Sequence, residues 1–360
     1  MTNQSVRKVA YVGLGSAGYP LASTLARHGT YELVVQDADP QRAKEFVREH
    51  SNATAATSPQ DFSDVDVVVT MLPNGQIVRE VLFGGDGSQG IAKSLKDGAV
   101  IIDTSSSSPQ HTRETGKLLQ DLNSTLALVD SPVTQEYAFA LAKGDATFMV
   151  GCSNDEALEK AMPILKVMGK YIFVMGDLGA GHVTKTLNNY TSAGSILALC
   201  DALIAGQQCG LDPAKMIDVM NVGTGVNFST KEGFRTDALT RRFKSGYQLA
   251  LLVKDMRIAK EVIESTGLQS PLADLIVELL SDASEVAGEG ADHTSCILGW
   301  EKKAGIQLKQ SHSSGAGVEN GAISKEDNDP LVLEIDKLLD HHEYSKNAIR
   351  MAIATLERRL

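Results

Sequence analysis

The chain has 360 residues, 42% hydrophobic and 22% charged, so it is long enough to bury more than one core and has the composition of an ordinary soluble globular protein. Its formal net charge of -11 opposes nucleic acid and anionic membrane as partners, because both require clustered Lys and Arg. The four cysteines (Cys152, Cys200, Cys209, Cys296) are scattered, which excludes a disulfide framework and fits free thiols in a reducing cytosol, and the eight histidines fall in no ligand spacing, so no metal site is expected.

Met1 to Lys8 is polar and runs straight into a strand, so no secretory signal is expected, and no apolar run approaches the roughly 20 residues of a membrane span. The location expected is cytoplasmic. Val9–Val12 reads as a buried strand, followed by a Gly-rich turn and an apolar helix to about His28 that Gly29 stops. Strands are then expected at Glu32–Gln36, Val65–Met71, Ala99–Ile102, Leu126–Val129, Phe148–Val150 and Tyr171–Val174, with helices at Gln41–Glu49, Gln110–Leu119 and Asp155–Met168. That alternation is how a parallel sheet with crossover helices reads.

After Gly181 strand signals vanish, and helical stretches follow at Thr184–Cys209, Pro213–Asn221, Leu249–Thr266 and Pro271–Ala287. The fold class expected is α/β, an N-terminal Rossmann doubly wound sheet followed by an all-α helical domain. Its divisions are 1–178 for the sheet domain, 179–306 for the helical domain, 307–329 as a flexible linker and 330–360 as a helical tail.

Gly13-Leu14-Gly15-Ser16-Ala17-Gly18 is a G-x-G-x-x-G directly between a strand and a helix. Gly13 permits the tight turn, Gly15 lets backbone approach a pyrophosphate, and Gly18 lets the helix pack closely on the sheet. The helix start offers unpaired N–H groups and partial positive charge to the phosphates. Asp37 closes the second strand about 20 residues later, where a carboxylate binds the adenosine ribose and repels a 2′-phosphate. NAD is therefore expected in preference to NADP, with Arg42 close enough to soften the discrimination; the competing role for Asp37 is to start the turn Asp37-Ala38-Asp39-Pro40.

Strand ends in an open α/β sheet face the ligand crevice. Met71-Leu72-Pro73, Asp103 to Pro109 and Asp130-Ser131-Pro132-Val133-Thr134 fall at such ends, and Gly179 to Asn189 opens the joining helix. Lys185 and Asn189 are four apart and share a helix face. A Lys beside a polar amide on this apolar helix is unusual, although snorkelling to solvent is the common fate of helical lysines.

In order along the chain, G-L-G-x-x-G-x-P-L-A at Gly13–Ala22, D-x-S-x-x-x-P at Asp103–Pro109, D-x-P-V at Asp130–Val133, G-A-G-x-x-x-K-x-x-N-N at Gly179–Asn189 and the pair Lys254-Asp255 resemble the β-hydroxyacid dehydrogenase family, which includes 3-hydroxyisobutyrate dehydrogenases. The likeness runs from Lys8 to about Gly305. It implies that Lys185 is the catalytic lysine and Asn189 orients the substrate. It implies too that Leu72, Pro73 and Ser106 line the nicotinamide half of the cofactor, Ser106 also facing substrate, while Lys254 approaches from the helical domain. The partner implied is a small hydroxy acid or aldehyde, and the assembly a homodimer or homotetramer.

One departure stands out. The family follows D-x-P-V with Ser-Gly-Gly to hold a substrate carboxylate, whereas this chain has Thr134-Gln135-Glu136. Either the carboxylate is bound differently, or the substrate is larger, more polar or less anionic, or Gln135 and Glu136 point away and only the loop path differs. Two other functions share the motifs: a short-chain aldehyde or ketoacid reductase of the glyoxylate or succinic semialdehyde type, and a cofactor-binding scaffold without turnover. Among single residues, Trp300 is expected to pack on a helix, His182 to cap a helix start or face water, and Asp340-His341-His342-Glu343 to form a solvated helix face.

Overall fold

In the computed structural model, residues 6–85, 89–135 and 140–309 are described, all within the compact unit Met1–Ser311. Glu136, most of the expected linker, the tail and the Asp340–Glu343 run lie outside the described residues.

The strand-rich part runs β1 (Lys8–Val12), α1 (Gly18–His28), β2 (Glu32–Gln36), α2 (Pro40–Glu49), β3 (Ala53–Ala55), β4 (Val67–Thr70), α3 (Gly75–Phe83), β5 (Val100–Asp103), α4 (Pro109–Leu122), β6 (Ala127–Asp130), β7 (Val133–Thr134), α5 (Ala140–Lys143), β8 (Ala146–Gly151), α6 (Asp155–Met168) and β9 (Gly169–Gly176). The sheet order is β3-β2-β1-β4-β5-β6-β8-β7, with β9 on β8. The six strands β1 to β6 are parallel, in the doubly wound order that reverses between β1 and β4 and opens a crevice at their C-terminal ends. The parallel sheet with crossover helices is as expected; beyond β6 it gains an antiparallel addition, β8 running antiparallel to β6 and β7.

Helices cover both faces, so the central strands β1, β4, β5 and β6 are buried and apolar except at their ends, rather than alternating with polar residues. Val9, Tyr11, Val67, Val69, Ile102 and Val129 pack on one side against Leu21, Leu25, Phe46, Ile164 and Leu165. Their chain neighbours Ala10, Val12, Val68, Ile101 and Leu128 point the other way, onto Val78, Leu82 and Leu119. Gly29 ends α1 in a left-handed conformation (φ 76°), its N–H bonded to Ala26 O, as its place after the apolar run implies.

The helical part is α7 (Ala180–Gln208), α8 (Pro213–Val222), α9 (Phe228–Lys231), α10 (Leu249–Ser265), α11 (Pro271–Ala287) and α12 (Ile297–Ala304). Its core gathers Ile196, Leu203, Phe234, Leu252, Met256, Ile276 and Ile297. Trp300 packs at the rim of this core and donates to Asp201 of α7 at 2.7 Å. Among the described residues no helix is long and apolar enough to cross a membrane.

The 29-residue α7 starts at Ala180, a turn earlier than its apolar pattern implies, and has no side-chain cap of its own. Its first free N–H groups are satisfied from β6: Asp130 accepts Gly179 N at 2.6 Å and His182 N at 2.8 Å. Gly181 is pressed so close to β8 that a Cβ there would lie 2.1 Å from Met149 O. The helix that carries Lys185 therefore begins flat against the strand ends.

Candidate active site

The crevice has two ends. At the first, Gly13 takes φ +100°, and a Cβ there would meet Met71 O at 2.2 Å, while one on Gly18 would meet Gly13 O at 1.9 Å. Gly15 differs: the nearest atom to its added Cβ is Arg42 Nη1 at 3.8 Å, so its outer side is open for close approach by a ligand. Leu14 N is bonded at 2.6 Å to Asp37 Oδ2, and Asp37 Oδ1 accepts Asp39 N at 2.9 Å. Asp37 thus serves both the turn and the glycine loop, and its carboxylate is fixed beside that loop. Arg42 reaches Asp39 at 3.8 Å.

Beyond Asp37 lies a cavity of about 260 Å³ lined by Gln36, Thr57, Ser58, Ile77 and Val81. Gln36 Oε1 is buried there with no hydrogen-bond partner among the described residues. A buried acceptor without a donor is costly unless a ligand supplies one. An adenine amine has the chemistry to do so, and the open face of Gly15 suits a pyrophosphate, so the residues present fit a dinucleotide.

At the second end, residues distant in sequence meet. Leu72 N donates to Ser105 Oγ at 2.9 Å, and Lys254 Nζ of α10 lies 3.0 Å from both Pro73 O and Ser106 O. Leu72, Pro73, Ser106 and Lys254 are therefore brought together, with the lysine tying the helical part to two strand-end loops. Lys254 also pairs with Asp255 Oδ1 at 3.1 Å. Asp255 is buried; its other oxygen accepts Asn189 Nδ2 at 2.8 Å and the Tyr247 hydroxyl at 2.7 Å. Burial, with the Asp255 carboxylate adding to it, raises the Tyr247 hydroxyl well above its usual range.

Lys185 lies one turn before Asn189 on α7. Burial lowers its amine from 10.5 to about 8, against the opposing pull of Asp255 and with a smaller contribution from Lys254. Among the described residues its amine makes no ion pair or hydrogen bond, unlike Lys254. Thr134 stands on β7 opposite Thr147 of β8, part-buried, and Gln135 is exposed.

His182 corrects the sequence reading. It neither caps nor faces water: it is 0% exposed, with Nδ1 2.8 Å from Thr112 Oγ1 of α4 and Nε2 2.9 Å from Ser105 O. Asp130 and Asp103 lie 3.5 and 3.8 Å from the ring nitrogens. Burial raises the carboxyl of Asp130, opposed by His182 and the two backbone N–H groups it accepts. Tyr247, Thr112 and Gln36 escape the sequence reading, since none falls in a motif. Only Asp255, next to Lys254, carries a signal.

Residues 8–176 match the NAD binding domain of 6-phosphogluconate dehydrogenase, and residues 179–299 match the family described as the NAD-binding domain of NADP-dependent 3-hydroxyisobutyrate dehydrogenase. The chain belongs to the β-hydroxyacid dehydrogenase family. It is 29% identical to 2-(hydroxymethyl)glutarate dehydrogenase of Eubacterium barkeri over 302 residues, covering 84% of this chain and 97% of that one. It is 31% identical to the NAD-dependent L-serine dehydrogenase of Pseudomonas aeruginosa, covering 76% and 91%. The solved 3-hydroxyisobutyrate dehydrogenase of Salmonella typhimurium superposes with a TM-score of 0.72 at 25% identity, covering 81% and 99%. This β-hydroxyacid dehydrogenase is an oxidoreductase with a nicotinamide-dinucleotide fold, and the crevice at the strand ends is where that fold takes its cofactor.

Proposed function

We propose that this enzyme moves a hydride between NAD and the β-carbon of a small 3-hydroxy acid, with Lys185 exchanging the hydroxyl proton. The observation that carries the reading is an amine without an ion-pair partner among the described residues, brought to about 8 by burial, on the helix that opens against the strand ends. Such a group holds both protonation states near neutral pH, which is what proton transfer in both directions needs. In oxidation the neutral amine takes the hydroxyl proton as the β-carbon gives up its hydride; in reduction the ammonium returns a proton to the nascent alkoxide. When bound, the nicotinamide supplies the hydride chemistry.

Asn189, held by Asp255, orients the substrate, and in this reading Ser106 and Thr134 contact it. Gln135, although exposed, and Glu136 replace small residues where the family grips a carboxylate, which favours a substrate with a polar substituent beyond the reacting carbon. Leu72, Pro73, Ser106 and Lys254 hold the nicotinamide end; Gly13, Leu14, Gly15, Ser16, Ala17 and Gly18 receive the pyrophosphate. Asp37 selects NAD over NADP, because a carboxylate fixed at the end of the second strand by the Leu14 N–H repels a 2′-phosphate. A division at about residue 178, free thiols suited to the cytosol and the exposed apolar residues Tyr171, Phe173 and Val174 suited to a homodimer or homotetramer belong to the same reading.

The test is Lys185→Ala assayed with NAD against a panel of hydroxy acids, beside NADH binding. Turnover is expected to fall by about 10²–10⁴-fold with NADH affinity retained. Normal turnover by the variant would refute the assignment.

A further inference from the structure

We infer that His182 is a positioning residue for the nicotinamide half of the cofactor site, acting through Ser105. This rests on the proposed cofactor site and goes beyond it, because His182 touches neither the glycine loop nor, by its burial, any ligand. One residue ties α7 to three other parts of the fold. Its backbone N–H is held by Asp130 of β6, its Nδ1 meets Thr112 of α4, and its Nε2 meets the Ser105 carbonyl after β5. Because a carbonyl only accepts, Nε2 carries a proton and donates to it.

Ser105 passes this constraint on to the nicotinamide side. Its Oγ accepts Leu72 N after β4, and the carbonyl of the next residue, Ser106 O, accepts Lys254 Nζ from α10. Ser105 N is itself bonded to Asp103 Oδ1, which also accepts the Thr70 hydroxyl. The two loops on the nicotinamide side are thus registered against each other through Ser105, and against the helix of Lys185 through His182. Among the described residues neither Asp103 nor Asp130 meets a Lys or Arg, so His182 is the group that faces both buried carboxylates. An apolar residue here would leave the Ser105 carbonyl without its donor inside a sealed site, and would leave the Thr112 hydroxyl only the Ser108 carbonyl, 3.1 Å away. The adenosine end, built from Gly13 to Asp37 and the cavity at Gln36, shares none of these bonds.

The experiment compares NADH, which spans both ends, with ADP-ribose, which lacks the nicotinamide. Dissociation constants for both are measured on wild type, His182→Leu, His182→Gln and Thr112→Val, together with kcat. For His182→Leu, NADH binding is expected to weaken at least about tenfold and kcat to fall about 100-fold, the scale of a small misplacement at a reacting centre. ADP-ribose binding stays within about twofold, since no contact of that end changes. Gln, which can donate to Ser105 and accept from Thr112, restores most of the loss. If His182→Leu does not fold, Thr112→Val carries the same split between the two ligands with a smaller loss of NADH. Equal weakening of both ligands, or no change in either, overturns the inference. A wild-type chain that binds neither ligand would instead sink the cofactor reading on which it rests.

Discussion

The two ends of the crevice are made in different ways. The end proposed for the adenosine comes largely from one stretch, Gly13 to Asp37, and is shaped by backbone: a left-handed Gly13, a Gly18 with no room for a Cβ and a Leu14 N–H held by Asp37. The end proposed for the nicotinamide is assembled from distant segments, Leu72, Pro73, Ser105, Ser106, His182, Asn189, Lys254 and Asp255, joined through side-chain hydrogen bonds. A local backbone device is set by the spacing of a few glycines. A distributed one exists only after both parts of the chain have folded, so its failures should be catalytic before they are structural.

The largest effect is expected from filling the backbone device. Gly18→Ala puts a methyl against Gly13 O, where it would stand at 1.9 Å, and should cost about 3 kcal/mol or more, read as loss of soluble protein or a low Tm. Gly15→Ala, whose Cβ meets nothing nearer than 3.8 Å, should keep the wild-type Tm and lose cofactor affinity about tenfold. A stable Gly18→Ala protein would show that the close approach is not required.

At the other end, Asp255→Asn removes the charge that raises the Lys185 amine and leaves an amide for Asn189 and Tyr247 to meet. The base limb of the oxidation profile should move to lower pH, and kcat should fall about tenfold with little change in Tm. An unmoved limb would separate Asp255 from the amine. Next in size, Asp37→Ser should raise the relative use of NADP about tenfold, measured as the ratio of kcat/KM for the two cofactors.

The smallest effect concerns stability. The Lys185 amine binds fewer protons folded than unfolded between about 8 and 10.5, so its cost to folding is full below that window and fades as pH rises through it. Lys185→Met should therefore be more stable than wild type at pH 7, by about 1–2 kcal/mol, with the gap closing above about pH 10 in urea titrations. A destabilised Lys185→Met would mean that the amine has a partner at neutral pH.

The same contrast between local and distributed construction decides what the sequence conveys. Long periodic elements and the glycine turn are local, so the sequence pattern places β1, α1, α6, α10 and α11 close to where they lie. The three-residue β3 has no apolar run to announce it, and α3 is hidden by the Pro73-Asn74-Gly75 at its start, although Asn74 caps it by accepting Ile77 N. β8 is legible as a strand, but its antiparallel pairing depends on where β7 turns back. Motif and spacing reach Lys185, Asn189 and Lys254, whereas they misplace His182. Three residues before Lys185 on a helix means one turn away, and here that turn passes from the crevice into the strand ends. Nothing local reports that boundary, because it is set by Asp130, 52 residues earlier.

The most direct measurement is the pH dependence of kcat/KM for hydroxy-acid oxidation, in wild type and Lys185→Met. A rise through a single limb at about 8 or below is predicted, since burial brings the amine there and a bound nicotinamide cation lowers it further, with the reverse reaction falling over the same range. In Lys185→Met the residual rate should lose that limb. A profile that stays flat from about pH 6 to about pH 10, or a limb that persists in the variant, would contradict a proton-exchanging role for Lys185.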